Sequence, residues 1–133
     1  MHPRSALLAT VILFQSLQAA ASPAEFRKLA HEYYQWRDAA YPVATSAAGD
    51  HRFDTRLTDY KLDEYVRRRQ HVSDLLLQVN SLATDGWSKD DRIDLVLFQA
   101  EIAGVDFFGR KLNPEGSDPQ LYVNDARRAG AQG

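Results

Sequence analysis

An all-α fold is predicted by three features of the chain. Two helix-start signatures stand before apolar stretches, those stretches repeat at spacings of three and four, and only about five residues separate the second from the third. The first start is Ser22-Pro23-Ala24-Glu25, in which Ser22 caps, Pro23 occupies the first helical position and Glu25 closes a capping box. Phe26, Leu29, Ala30, Tyr33, Trp36 and Ala40 then share one face, and Pro42 disfavours helix at Tyr41.

Between Pro42 and Tyr60 no helical or strand period is sustained, so a short helical turn followed by an ordered loop is expected. A second long helix is predicted from about Leu62 to Leu82. Leu62, Tyr65, Val66, Val72, Leu76 and Val79 form its stripe, with Arg69 intruding. Ser88-Lys89-Asp90-Asp91 opens a third helix, Lys89 to Phe108, and the short break before it favours an antiparallel hairpin.

That third helix is apolar almost all round, with narrow polar strips at Asp94/Glu101 and Gln99/Asp106. Such a helix is normally buried on several sides, which two neighbours cannot provide. Something beyond those two helices, such as a protein partner, is expected to cover the remainder.

The ends of the chain read differently. Arg4, the apolar run from Ala6 through Leu17 and the small residues Ala19-Ala20-Ala21 fit a secretory leader spanning residues 1–21. Gln15 and Gln18 break that run short of a membrane span, so no membrane association is expected after cleavage. Residues 22–112 are the expected helical region. Residues 113–133, polar and ending in "ARRAGAQG", are expected as an irregular, disordered tail.

Composition narrows the function classes. The 133 residues have room for one small domain, and the absence of cysteine excludes disulfides and lipoprotein-type acylation. A periplasmic or secreted location follows from the leader. The 16 Lys and Arg against 18 Asp and Glu become about −3 once Arg4 is removed, which supplies no phosphate-binding field and no nucleic-acid partner. Arg67-Arg68-Arg69 follows Asp63 and Glu64 by one turn and is expected to be a solvated, self-paired face.

"AHEYYQW" begins like the His-Glu-x-x-His zinc signature, but Gln35 stands where the second histidine belongs. His31, His51 and His71 are spaced by twenty, yet His31 and His71 fall on polar helix faces and are not expected to converge. No serine sits in a Gly-x-Ser-x-Gly elbow, and no glycine-rich phosphate loop is present. No catalytic or metal-binding residue is therefore assigned.

Gly49-Asp50-His51-Arg52-Phe53-Asp54 is the stretch densest in chemistry, and Asp50, His51, Arg52 and Asp54 are the candidate substrate contacts. Its plainer reading is a loop knitted together by Asp–Arg pairs and helix caps.

"FRKLAHEYYQWRDAAYPVATSAAGDHRFDTRLTD", the basic helix after it, "WSKDDRIDLVLFQAEI" and "NPEGSDPQLYVN" together resemble the start of the bacterial domain-of-unknown-function family 885. The resemblance runs from Phe26 to about Asn124. It implies the amino-terminal helical part of an exported, zinc-metallopeptidase-like hydrolase, with a missing carboxy-terminal portion of the domain covering the rest of the apolar third helix. Zinc is expected in full-length relatives, whose His-Glu-x-x-Pro-Gly-His motif has no counterpart in this chain. The alternative is a free-standing periplasmic helical interaction module.

Overall fold

The computed structural model describes residues 21–131, so the expected leader lies outside the described residues apart from Ala21. Every regular element among the described residues is helical. The first long helix, α1 (Pro23–Ala40), starts at a complete capping box. The Ser22 backbone N–H donates to Glu25 Oε2 at 2.6 Å, and the Glu25 N–H donates to Ser22 Oγ at 3.2 Å. These bonds, the Ser22 backbone one first, hold the Glu25 carboxyl below the usual range.

Tyr41 breaks the helix ahead of Pro42, which opens the short α2 (Pro42–Ala47). Gly49, at φ 98, turns the chain into a 3-10 turn at His51–Phe53. Next come α3 (Leu62–Asn80) and α4 (Lys89–Phe107), the latter capped by Ser88, whose Oγ accepts from the Asp91 N–H at 3.1 Å. The end of α4 widens into a π-helical turn, Phe108–Leu112, closed by the Asn113 N–H donating to the Phe108 carbonyl at 3.3 Å.

The core forms where α1, α3 and α4 meet. Phe98 is its centre: Phe26 and Tyr33 meet its ring edge-on, with centroids 5.8 and 5.6 Å away. Val79 and Ile102, both fully enclosed, bring α3 and α4 together, and Gln99 Nε2 donates to the Val79 carbonyl at 3.0 Å. Trp87 is buried below this group. Its indole N–H donates to the carbonyl of Ala21, the last residue of the expected leader, at 2.8 Å.

Two expectations need correction. The buried face of α3 is Tyr65, Arg68, Val72, Leu75 and Val79, while Leu62 and Val66 face solvent. Leu75 lies seven residues from Arg68 and three from Val72, so the inner stripe runs through the basic triplet instead of past it. Arg67 alone behaves as the solvated, self-paired residue, reaching Asp63 at 3.2 Å and Glu64 at 2.5 Å.

The second correction concerns the tail. Instead of being irregular, the chain forms α5 (Pro114–Ser117) and α6 (Pro119–Gly130). Asp118 caps α6 by accepting from the Gln120 N–H at 2.9 Å, Pro119 sits at its first position, and Arg127 and Arg128 complement its carboxyl end. Tyr60 holds the helix in place, meeting the Tyr122 ring edge-on at 4.5 Å and donating to Asp125 Oδ2 at 2.5 Å.

Helix α4 buries a single stripe, Leu95, Phe98, Ile102 and Asp106. Its other side carries a second stripe, Ile93, Val96, Leu97 and Phe107, that nothing in the described chain covers. No helix among the described residues is long and apolar enough to cross a membrane.

Candidate functional site

The Gly49–Asp54 loop is closed upon itself. The Asp50 carboxylate accepts from the Arg52 N–H at 3.1 Å and from its guanidinium at 2.5 to 2.9 Å. Hydrogen bonds from the Arg52 side chain, then its backbone, hold the Asp50 carboxyl below its ordinary range. Ser46 Oγ donates to Asp54 Oδ1 at 2.5 Å, which lowers that carboxyl as well, and His51 Nδ1 lies 2.9 Å from Asp54 Oδ2.

Asp50, His51, Arg52 and Asp54 are thus brought together, but chiefly as partners of one another. The Arg52 guanidinium has a further, longer contact to Asp38 on α1, at 3.4 Å.

The three histidines are held apart by different surroundings. His31 is exposed on α1, His51 belongs to the loop, and His71 stacks on Trp36 with ring centroids 4.0 Å apart. Among the described residues, no three His, Asp or Glu side chains form a group able to hold a metal ion.

Sequence reasoning missed a cavity lined by both apolar and charged side chains. It measures ≈ 400 Å³ and lies between α2, α3, the π-helical turn and α6. Tyr41, Tyr65, Val72, Val105, Phe108 and Leu121 give it apolar walls. Arg68, Arg69, Asp106, Arg110, Glu115, Asp125 and Arg128 bring charge to the same space.

Arg68 is 6 % exposed. Its guanidinium donates to Glu115 Oε2 and, at 2.6 Å, to the Asp59 carbonyl, and it lies over the Tyr41 ring at 5.2 Å. Tyr41 completes the carboxylate's shell by donating to Glu115 Oε1 at 2.9 Å. A basic residue that looked solvated therefore pins the segment after α4 to the middle of α3.

The phenols here are donors rather than bases. Burial first, then Glu115, raises the pKa of Tyr41; burial first, then the bond to Asp125, raises that of Tyr60. Both keep their protons at every ordinary pH. Asp106, buried near the end of α4, is paired with Arg110 one turn on. One clue to the cavity was present in the sequence: Arg69 interrupts the apolar stripe of α3, where a long cation needs either solvent or a polar enclosure.

Comparison of the chain with protein-family models, with curated proteins and with solved structures returns no match. The cavity, the loop and the uncovered stripe of α4 must speak for function.

The Trp36–His71 stack provides a pH-dependent signal. Burial, opposed by Asp74, lowers the His71 pKa from 6.5. The unfolded chain thus takes up this proton at higher pH than the folded one. Stability from neutral His71 is complete above 6.5 and is lost as pH falls through the lower folded value. We expect Trp36 emission to fall over that same interval, because imidazolium quenches indole, and the step to vanish in His71→Gln. A midpoint at or above 6.5, or a step unchanged in the variant, would contradict this assignment.

Proposed function

We propose that the chain is the non-catalytic amino-terminal scaffold of an exported, zinc-metallopeptidase-like hydrolase of the family 885 type. In this reading residues 1–21 are a leader, α3 and α4 form an antiparallel hairpin within a larger helical domain, and zinc is bound by polypeptide from the carboxy-terminal portion. The supporting observation is the outer stripe of α4. Ile93, Val96, Leu97 and Phe107 are all exposed, Leu97 at 64 % and Phe107 at 56 %. With Ala100, Ala103 and Gly104 they follow the three-and-four spacing of a helix face, which is the pattern of a surface awaiting another helix.

Ala100, Ala103 and Gly104 sit mid-stripe, where small side chains let a partner helix come close. The Gly49–Asp54 loop would wall a substrate cleft, with Asp50, His51, Arg52 and Asp54 as its contacts. A substrate carboxylate would then replace Asp38 beside Arg52, the longest of that guanidinium's contacts.

A second reading, a free-standing periplasmic helical module, is favoured by the closed inner core around Phe98 and by the Arg68–Glu115 pair. The same α4 stripe would then meet a separate protein.

Complementation distinguishes the readings. Mixed with the separately produced carboxy-terminal part of a family relative, the chain should restore peptide hydrolysis, and Leu97→Asp or Phe107→Asp should reduce that recovery at least tenfold, by roughly 1.4 kcal/mol of association energy or more. Failure to associate, with the chain cooperatively folded and monodisperse, would favour the module. Uptake of one zinc equivalent by the chain alone, with peptide cleavage abolished by replacing any one histidine, would defeat the scaffold reading.

A further inference from the structure

We infer that the cavity between α2, α3, the π-helical turn and α6 is a binding site for a small organic monocarboxylate with a phenyl-sized apolar body. Its charge pattern is the first reason. Four arginines and three carboxylates line it, and the carboxylates are taken pairwise: Glu115 by Arg68, Asp106 by Arg110, and Asp125 by Arg128 at 4.0 Å. That leaves Arg69, which has no carboxylate within 4.0 Å among the described residues.

Arg69 is also short of acceptors. Its Nε is buried and meets no hydrogen-bond partner among the described residues, although its guanidinium lies over the Tyr65 ring at 5.4 Å. The Nε of Arg68, on the same wall, is likewise buried without a partner. Arg69 as a whole is half-buried, and a planar guanidinium with no fixed partner matches a carboxylate through two parallel hydrogen bonds.

The surplus is one positive charge. A monoanion neutralises it, whereas a phosphate dianion would introduce a second, uncompensated charge. The body of the ligand is set by the walls: Tyr65, Val72, Val105, Phe108 and Leu121 present rings and branched chains, and ≈ 400 Å³ lies in the range of small-molecule sites. Tyr41 and Tyr60 already donate to Glu115 and Asp125, so Arg69 is the group that selects the ligand's charge.

Calorimetric titration of the purified chain with 3-phenylpropionate, with its neutral amide and with inorganic phosphate tests this. The acid should bind saturably at one equivalent, at least tenfold more tightly than the amide and than phosphate. Arg69→Gln should weaken the acid at least tenfold and remove its advantage over the amide. Arg69→Lys should recover part of that advantage. Ala44→Phe, which narrows the cavity from the exposed side of α2, should weaken acid and amide alike.

No binding of the acid by the unaltered chain up to about 10 mM, or equal affinity for acid and amide, overturns the assignment. So does an Arg69→Gln variant of normal helicity that binds the acid as before. Tighter binding of phosphate refutes the ligand class. The acid–amide comparison needs no variant, so the test survives a substitution that fails to fold.

Discussion

Replacing Arg68 by methionine is expected to lower the free energy of unfolding by about 3 to 5 kcal/mol, the usual effect of removing one partner from a buried ion pair. The Arg68 and Glu115 side chains are 7 % and 12 % exposed. Without the guanidinium, Glu115 keeps Tyr41 as its donor but loses its counter-charge, and the Asp59 carbonyl loses its bond as well. Domains of this size are stable by only about 5 to 15 kcal/mol, so the loss is a large share of the whole.

The signature that sets this apart from ordinary packing loss is recovery. Arg68→Met combined with Glu115→Leu removes both charges, and should regain most of the deficit, because two apolar groups of similar volume cost far less than one abandoned charge. Urea melts of the two single variants and the double one decide the matter. A double variant as unstable as the sum of the singles would show that shape, rather than charge, dominates at this position.

Phe98→Ala is expected to cost a similar amount, about 3 to 5 kcal/mol, for a different reason. Its ring meets Phe26, Tyr33 and Tyr34 at centroid distances of 5.6 to 6.0 Å, so truncation opens a void that α1 and α4 cannot both close. Its neighbour gives the control. Leu97 is 64 % exposed, and Leu97→Ala should change stability by no more than about 0.5 kcal/mol. Comparable losses at the two positions would mean that the outer stripe is covered in the purified protein, for instance by a second copy.

The contrast between Phe98 and Leu97 also marks where sequence reasoning reached its limit. Capping chemistry is local, so Ser22–Glu25, Pro42 and Ser88–Asp91 placed helix boundaries well. Which of two apolar sides of α4 is buried is a tertiary property, and no spacing rule separates Leu95, Phe98 and Ile102 from Ile93, Val96 and Leu97. On α3 the inner stripe was displaced because Leu62 and Val66 look like core, whereas Arg68 does not until Glu115 is seen beside it.

Long-range pairing hid the cavity, whereas α6 carried local start signals in Asp118 and Pro119 that the polar composition of the segment outweighed. Tyr60 and Asp125 are 65 residues apart, and nothing local to either announces the other. The loop at Asp50 to Asp54, by contrast, was legible as a dense set of charges. Its bonds are made within a few residues, so its chemistry could be read even though the sequence left a binding role and a self-contained turn both open.

The Arg68–Glu115 contact sets an order of events during synthesis. Arg68 leaves the ribosome 47 residues ahead of its carboxylate, an interval of roughly 2 to 9 s at ordinary elongation speeds. Through that time the nascent α3 carries a cation without the group that accompanies it into the interior. Closure around Arg68 therefore waits for Glu115 to emerge, and until then the growing polypeptide remains open to whatever machinery meets it first.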